Sequence, residues 1–454
     1  MNSFREQASK FESAEKMAQA FLKAYFGNSK IVFPLNPFQM LKDEGIIFSI
    51  SNFHKLEGVY VPAADGDDVP VVGINANRPI TRQRYTAVHE LCHHFRDTGK
   101  SVVCPMSPQS ATEKFAESFA SAVLMPYADL KHQVNKRKNA GGYISFDDVL
   151  EIADYFGVSF QACLFRIAYV IHAISVNTEP SELRKSIAKY APEKKRRAKH
   201  LSYAKLYAGL FDCYFKQLAT DGNDRARFVF QNNYIYNDSR IEGLDVDIEQ
   251  ISEIVTDLRL KKQNSCYCSD TGSDAYMSAA GHYDIYQHIF TEEHKDKLSV
   301  FETMSLNQKL FAYYPHPEFG GSTRKNNTLV IGAKFETVDH NDIANELAAL
   351  DTEVKRSFEQ RFSKPLSKYI QEICRIHHRL TVIHPFADGN GRTARAFMNM
   401  QLVRSSITPL YIRTEDKDEY IEALAAADKT QNYEPLYEVI FKAILRSHVE
   451  LKML

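Results

Sequence analysis

The chain has 454 residues, 44% hydrophobic and 25% charged, about three times an ordinary domain length, so two or three domains are expected rather than one core. Its 56 Lys and Arg nearly cancel its 57 Asp and Glu, which excludes a global basic field for nucleic acid and an acidic disordered tail. With only 19 Gly and 16 Pro, collagen-like and turn-dominated architectures are disfavoured and helix is favoured.

In chain order, the polar start MNSFREQASKFESAEK has no apolar leader region, and no long uncharged apolar run follows; secretion and membrane spanning are not expected. Residues 13–26 have helical spacing, with Ser13 as N-cap and Gly27 as stop. Short apolar runs at 46–50, 58–62 and 69–75 predict a small sheet, and helical patterns then dominate to residue 174, which makes the first domain α+β over residues 1–175. Residues 176–200, with Pro180, Pro192 and the basic run from Glu193 to His200, are expected as a linker with a solvated basic face. A mostly helical domain over 201–454 follows, interrupted by turn-rich 264–274 and by the Gly-led hairpin pattern GGSTRKNNTLVIGAKF at 320–335. Seven scattered cysteines, an odd number, point to a reducing cytoplasm; the pair Cys266 and Cys268 lacks a second pair at zinc-finger spacing.

Two segments carry chemistry. His89-Glu90-Leu91-Cys92-His93 is an H-E-x-x-H arrangement, which on a helix puts two imidazoles one turn apart on one face as zinc ligands, with Glu90 placed to accept a proton from water. Cys92 and His94 lie off that face and are expected to pack. A second helical segment brings Glu113 and Glu117 within sequence reach of the pair. The combination HELCHH followed by E-x-x-A-x-x-F-A-x-x-x-L-M-P resembles the ImmA/IrrE family of zinc metallopeptidases over roughly residues 10–175. The resemblance implies a zincin-like fold, Glu113 as the third zinc ligand with Glu117 as fallback, and cleavage of a specific, repressor-like protein. Glu117 stands where the family usually carries Asn or Asp, and the helix-turn-helix that often accompanies such peptidases is absent from this sequence.

The second segment is His384-Pro385-Phe386-Ala387-Asp388-Gly389-Asn390-Gly391-Arg392-Thr393-Ala394-Arg395. Glycines admit backbone N–H groups to phosphate oxygens, a following helix N-terminus favours anions, and two arginines can neutralise polyphosphate. Asp388 suits Mg²⁺, and His384 suits a proton acceptor near neutrality. The string matches the signature H-P-F-x-D-G-N-G-R-x-x-R of the Fic family, and residues 200–454 are similar to that family more widely. That resemblance implies a helical Fic fold with a β-hairpin flap and transfer of AMP from ATP to a Ser, Thr or Tyr hydroxyl of a target protein. His384 would be the base. Asp388 would hold Mg²⁺, Asn390 with the amides of Gly389 and Gly391 would cradle the α- and β-phosphates, Arg395 would meet the γ-phosphate and Arg392 would support it. Flap residues Gly320, Gly321, Ser322, Thr323, Arg324 and Lys325 would align the target as an added strand.

Fic proteins often carry a helix with the motif [S/T]-x-x-x-E-[G/N], whose Glu pairs with the second arginine. Residues 237–243, NDSRIEG, are similar to it: Glu242 and Gly243 match, while Asp238 occupies the Ser/Thr position. The expectation is autoinhibition through a Glu242–Arg395 ion pair, within the chain or from a neighbouring copy. The leading expectation is thus a cytoplasmic, toxin-like fusion of a zinc peptidase domain to a self-restrained AMP transferase using ATP, Mg²⁺ and Zn²⁺, with homo-oligomerisation left open. Alternatives are a non-catalytic zinc-binding sensor or recruiting module at the N-terminus, or a Fic domain that removes AMP or uses another nucleotide.

Overall fold

The structure is a computed structural model and describes residues 1–64, 68–97, 101–105, 110–214, 224–261, 273–291, 297–329 and 336–453. Two compact units divide the chain, Met1–Tyr214 and Phe215–Leu454.

The first unit is a small sheet with helices. Helix α1 (Ala14–Phe26) starts at Ser13, whose hydroxyl accepts from the Lys16 amide, and stops at Gly27 with φ +58°. Strands β1 (Ile47–Ser51), β2 (Leu56–Val61) and β3 (Val71–Asn75) follow. Helix α2 (Ile80–Arg96), strand β4 (Val102–Pro105) and helix α3 (Ala111–Leu124) come next. The sheet order is β1-β3-β2-β4, with β1 parallel to β3 and β2 antiparallel to both neighbours. Phe21 of α1, Phe95 of α2 and Phe119 of α3 meet at centroid separations of 5.6–5.9 Å. Each such buried ring contributes about 1.5–3 kcal/mol, and together they clamp α2 against α3, the two helices that bear the H-E-x-x-H segment and Glu113.

Residues expected to link the domains are instead folded onto this unit. Helices Pro180–Tyr190 and Pro192–Ala198 are held by Arg196, which is buried, pairs with Asp154 at 3.0 Å and stacks over Tyr203. Helix α4 (Ala204–Tyr214) joins them, Asn36 donating to the Gly209 carbonyl at 3.1 Å. The division therefore falls after Tyr214 rather than within 176–200, because the basic run contributes a buried arginine rather than a wholly solvated face.

The second unit is helical. Helix α5 (Asp224–Ile241) is followed by Ile248–Arg259, α6 (Asp274–Thr291), α7 (Glu302–Leu310) and Ile343–Glu359. Then come α8 (Leu366–Ile383), α9 (Asn390–Val403), Lys417–Thr430 and Glu434–Met453. One core joins Leu306 and Leu310 of α7 to Leu380 of α8 and Phe397 of α9. A second packs Tyr234 and Ile235 of α5 on Ala279 of α6. The loop between α8 and α9 is tied to α7 by the Asn307 side chain, which donates to the Asp388 carbonyl. Of the expected 320–335 hairpin, Thr323 forms an antiparallel bridge with Phe386; residues 330–335 lie outside the described residues, as do Cys266 and Cys268. No described helix is long and apolar enough to cross a membrane.

Candidate functional sites

In the first unit, helical pitch stacks His89 and His93 on the buried face of α2, their Nε2 atoms 3.1 Å apart. The Ser110 hydroxyl accepts from the Glu113 amide and starts α3 so that the Glu113 carboxylate points at the pair. Its Oε2 lies 3.1 Å from His89 Nε2 and its Oε1 3.4 Å from His93 Nε2. Three donors therefore surround one point, with edges close to the ~3.3 Å that tetrahedral zinc bonds of about 2.0–2.1 Å produce; zinc fits this donor set. Asp97 orients the ring of His93 from behind, Oδ2 to Nδ1 at 2.7 Å, the arrangement that raises ligand basicity at histidine metal sites. Burial opposes charge on Glu113, yet hydrogen bonds from His89 and His93 prevail and bring its pKa down to about 2. Burial likewise opposes charge on His93, but bonds to Glu113 and Asp97 raise its pKa.

Glu90 is fully buried beside them, and burial lifts its pKa to about 7. It sits against Gly58 of β2, where a Cβ would come within 2.3 Å of Oε1. Glu117, the fallback ligand, is engaged by Arg82 at 2.9 Å and reaches only the far nitrogen of His89, at 3.9 Å. His94 bonds to the Tyr60 hydroxyl and Cys92 is packed in the core. The residue that sequence reasoning misses is Cys104 on β4: its sulfur and the donors of His89, His93 and Glu113 all lie within 4.8 Å of one another.

In the second unit, His384 ends α8 in the left-handed region, φ +51°, a conformation costly outside glycine and often found at functional sites. Burial keeps its pKa below the ordinary histidine value. The loop then turns into α9, whose first amides face outward as in any helix start. Gly389 has φ +75°, and a Cβ there would lie 2.7 Å from Leu310 and 2.9 Å from Phe311. The Asn390 side chain closes the loop on itself, accepting from the Phe386 amide at 2.9 Å and donating to the Phe386 carbonyl at 2.8 Å. Its amide group is therefore engaged in shaping the loop.

Asp388 is largely exposed, its Oδ1 3.3 Å from Arg392. Arg392 itself donates to the Ser278 hydroxyl at 2.9 Å and lies over the Phe311 ring. Arg395, buried in α9, donates from NH2 to Glu242 Oε1 at 2.6 Å and from Nε to Asp238. Asp238 is also buried, and its other oxygen meets His282 Nε2 at 2.7 Å. Burial opposes both charges, but the pairing holds Asp238 well below the ordinary carboxylate range and raises Arg395. Glu242 and Gly243 form the turn after α5, Gly243 with φ +81°.

The six flap residues divide. Gly321 donates to Asn307 Oδ1 at 2.9 Å, and the same Asn307 side chain donates to the Asp388 carbonyl at 3.1 Å. Arg324 is buried, its main chain donating to the Pro385 carbonyl and its Nε to that of His384, both at 2.8 Å. These tie the flap base to the loop. Gly320 is buried as well, leaving Ser322, Thr323 and Lys325 exposed beside the site. Asn307, Ser278 and His282 carry no motif and are found only through the fold.

Residues 45–168 match the family model of the IrrE N-terminal-like domain, peptidase M78, and residues 297–402 that of the Fic/DOC family. Each match spans under half of the chain, so the chain is similar to the one family in a segment of its first unit and to the other in a segment of its second. It is 50% identical over 52 residues to the protein adenylyltransferase Fic of Nematostella vectensis, 12% of each chain. Over 135 residues it is 28% identical to the protein adenylyltransferase Fic of Drosophila yakuba, 30% of this chain and 26% of that one. These curated relatives are therefore matched over about a quarter of their length or less. Among solved structures, Fic-1 of C. elegans aligns with a TM-score of 0.43 at 15% identity, covering 77% of this chain and 89% of that one. A Fic domain containing signaling protein of Bacteroides thetaiotaomicron aligns at 0.42 and 20%, covering 50% and 88%.

Proposed function

We propose that the second unit transfers AMP from ATP to a Ser, Thr or Tyr hydroxyl of a target protein, restrained by Glu242, and that the first unit is a zinc endopeptidase domain. The observation that carries the transferase reading is the single loop-to-helix junction, inside the matched segment, that presents His384, Asp388, the α9 amides and Arg395 together. Phosphates seat on the α9 N-terminus, where the absence of side chains at Gly389 and Gly391 permits close approach. The exposed Asp388 carboxylate holds Mg²⁺, which supplies charge neutralisation to the polyphosphate. His384, kept neutral by burial, takes the proton of the target hydroxyl as its oxygen bonds to the α-phosphorus; the bond to the β,γ-pyrophosphate breaks and pyrophosphate leaves. Glu242 occupies the Arg395 NH2 that the γ-phosphate would engage, which makes it a brake.

In the first unit His89, His93 and Glu113 hold zinc, which supplies Lewis-acid polarisation and a lowered water pKa. Glu90 takes the proton of the attacking water and passes it to the leaving amine. A specific, repressor-like protein is the proposed substrate. The cytoplasm is the proposed compartment, supported by the free, buried state of the five described cysteines.

Intact-mass spectrometry after incubation with ATP and Mg²⁺ tests the transferase reading through the chain's own AMP adduct. The adduct is expected in Glu242→Gly and absent in Glu242→Gly/His384→Ala. An adduct that persists without His384 would overturn the assignment of the base.

A further inference from the structure

Strand β4 is the sheet edge, held by β2 alone, and pairs so that Cys104 lies opposite Gly58 and Val103 opposite Val59. Strand alternation turns Val103 to solvent, 55% exposed, and Cys104 inward, 2% exposed. The Cys104 sulfur ends 3.9 Å from Glu113 Oε1, within the 4.8 Å cluster that also contains the two imidazole nitrogens. A tetrahedron with one bond of about 2.3 Å and the others about 2.0–2.1 Å has a sulfur edge of about 3.6 Å, so a small movement of the Cys104 side chain toward the carboxylate brings the sulfur to a fourth position. Glu90, fully buried, stands beside the same donors.

We infer that Cys104 is the fourth protein ligand of the zinc held by His89, His93 and Glu113, so that the site as folded is closed and the peptidase is latent. This rests on the zinc reading above and adds its regulation. Structural zinc sites carry four protein ligands, whereas hydrolytic ones keep a position open to water. Here the general base, both imidazoles and the carboxylate are in place, and the thiolate fills the position hydrolysis needs. A thiol coordinated to a divalent cation is deprotonated outright, so a two-histidine, one-carboxylate, one-thiolate set also neutralises the ion. Because one short edge strand carries the sulfur, movement of β4 away from β2 would open the site without disturbing α2 or α3.

The test is cobalt substitution of the full-length chain, zinc being stripped and one equivalent of Co²⁺ added to wild type, Cys104→Ser and His89→Ala. Wild type should show tetrahedral cobalt bands together with intense near-ultraviolet sulfur-to-metal charge transfer. Cys104→Ser should still bind cobalt but lose the charge transfer, and His89→Ala should lose both. Superimposable spectra of wild type and Cys104→Ser would overturn the inference while leaving the zinc reading standing. Charge transfer that survives in Cys104→Ser would place the sulfur elsewhere and overturn it equally. Failure of wild type to bind cobalt would remove the zinc reading itself. X-ray absorption on the zinc-loaded wild type needs no variant: one sulfur at about 2.3 Å is expected, and a shell of nitrogen and oxygen alone would refute the fourth ligand.

Discussion

Arg395 is buried and meets Glu242 through NH2 and Asp238 through Nε, and the two carboxylates differ in surroundings. The Glu242 side chain is 28% exposed, whereas that of Asp238 is 4% exposed and shared with His282. Removing a partly solvated partner costs about 1 kcal/mol or less, while removing a buried one strands the opposite charge at about 3–5 kcal/mol. Urea unfolding should therefore find Glu242→Gly near wild type and Asp238→Ala markedly destabilised; equal losses would contradict the division of labour. The proposed base, His384, gives a pH test. Since burial lowers the His384 pKa, its neutral form extends to more acid solution, so AMP transfer by Glu242→Gly should fall off only below the ordinary histidine value, about 6.5. A rate already halved above that value would contradict it. His384, Arg395 and Glu242 are legible because their motifs space them. Asp238 reads in sequence as a departure from Ser or Thr, and only the packing of α5 on α9 reveals that it brings a second carboxylate to the same arginine.

Elements position the donors. The last turn of α2 supplies Asp97 to His93 at 2.7 Å, an i, i+4 contact that steadies a ring whose other nitrogen faces the cluster. Loss of such an orienting carboxylate typically lowers metal affinity 10–100-fold, so competition with a chromogenic chelator should show Asp97→Ala weakened by that factor with zinc stoichiometry unchanged. Unchanged affinity would show that Asp97 serves only the helix end. The helical pitch of α2 makes His89 and His93 readable from spacing alone, and the first turn of α3 brings Glu113 to them. Strand β4 is not readable: it has four residues, and its pairing with β2 joins positions some 45 apart in sequence. Cys104 is hidden for that reason. The flap base is hidden similarly, because Asn307 on α7 links Gly321 to Asp388 only after α7 packs on α9.

At the scale of the whole chain, each site is built within one unit: all four cluster donors lie in Met1–Tyr214 and the phosphate cradle in Phe215–Leu454. Metal and nucleotide should therefore stabilise different transitions. A ligand at a hundred times its Kd adds about 2.7 kcal/mol, roughly 5–10 °C for units of this size. Calorimetry should show a chelator lowering one transition and ATP with Mg²⁺ raising the other, whereas a single transition moved by both would contradict separate sites. Two domains and their order are legible from the two motifs, but the boundary is not. Helices after residue 175 look linker-like in composition, and only the burial of Arg196 and the packing of α4 assign them to the first unit. The central claim is that the junction at His384 moves AMP rather than phosphate, and parallel incubations with α-labelled and γ-labelled ATP test it most directly. The expected result is α-label on protein, strong in Glu242→Gly, weak in wild type and absent in His384→Ala, with no γ-label retained; γ-label on protein, or no label in any variant that still binds ATP, would contradict it.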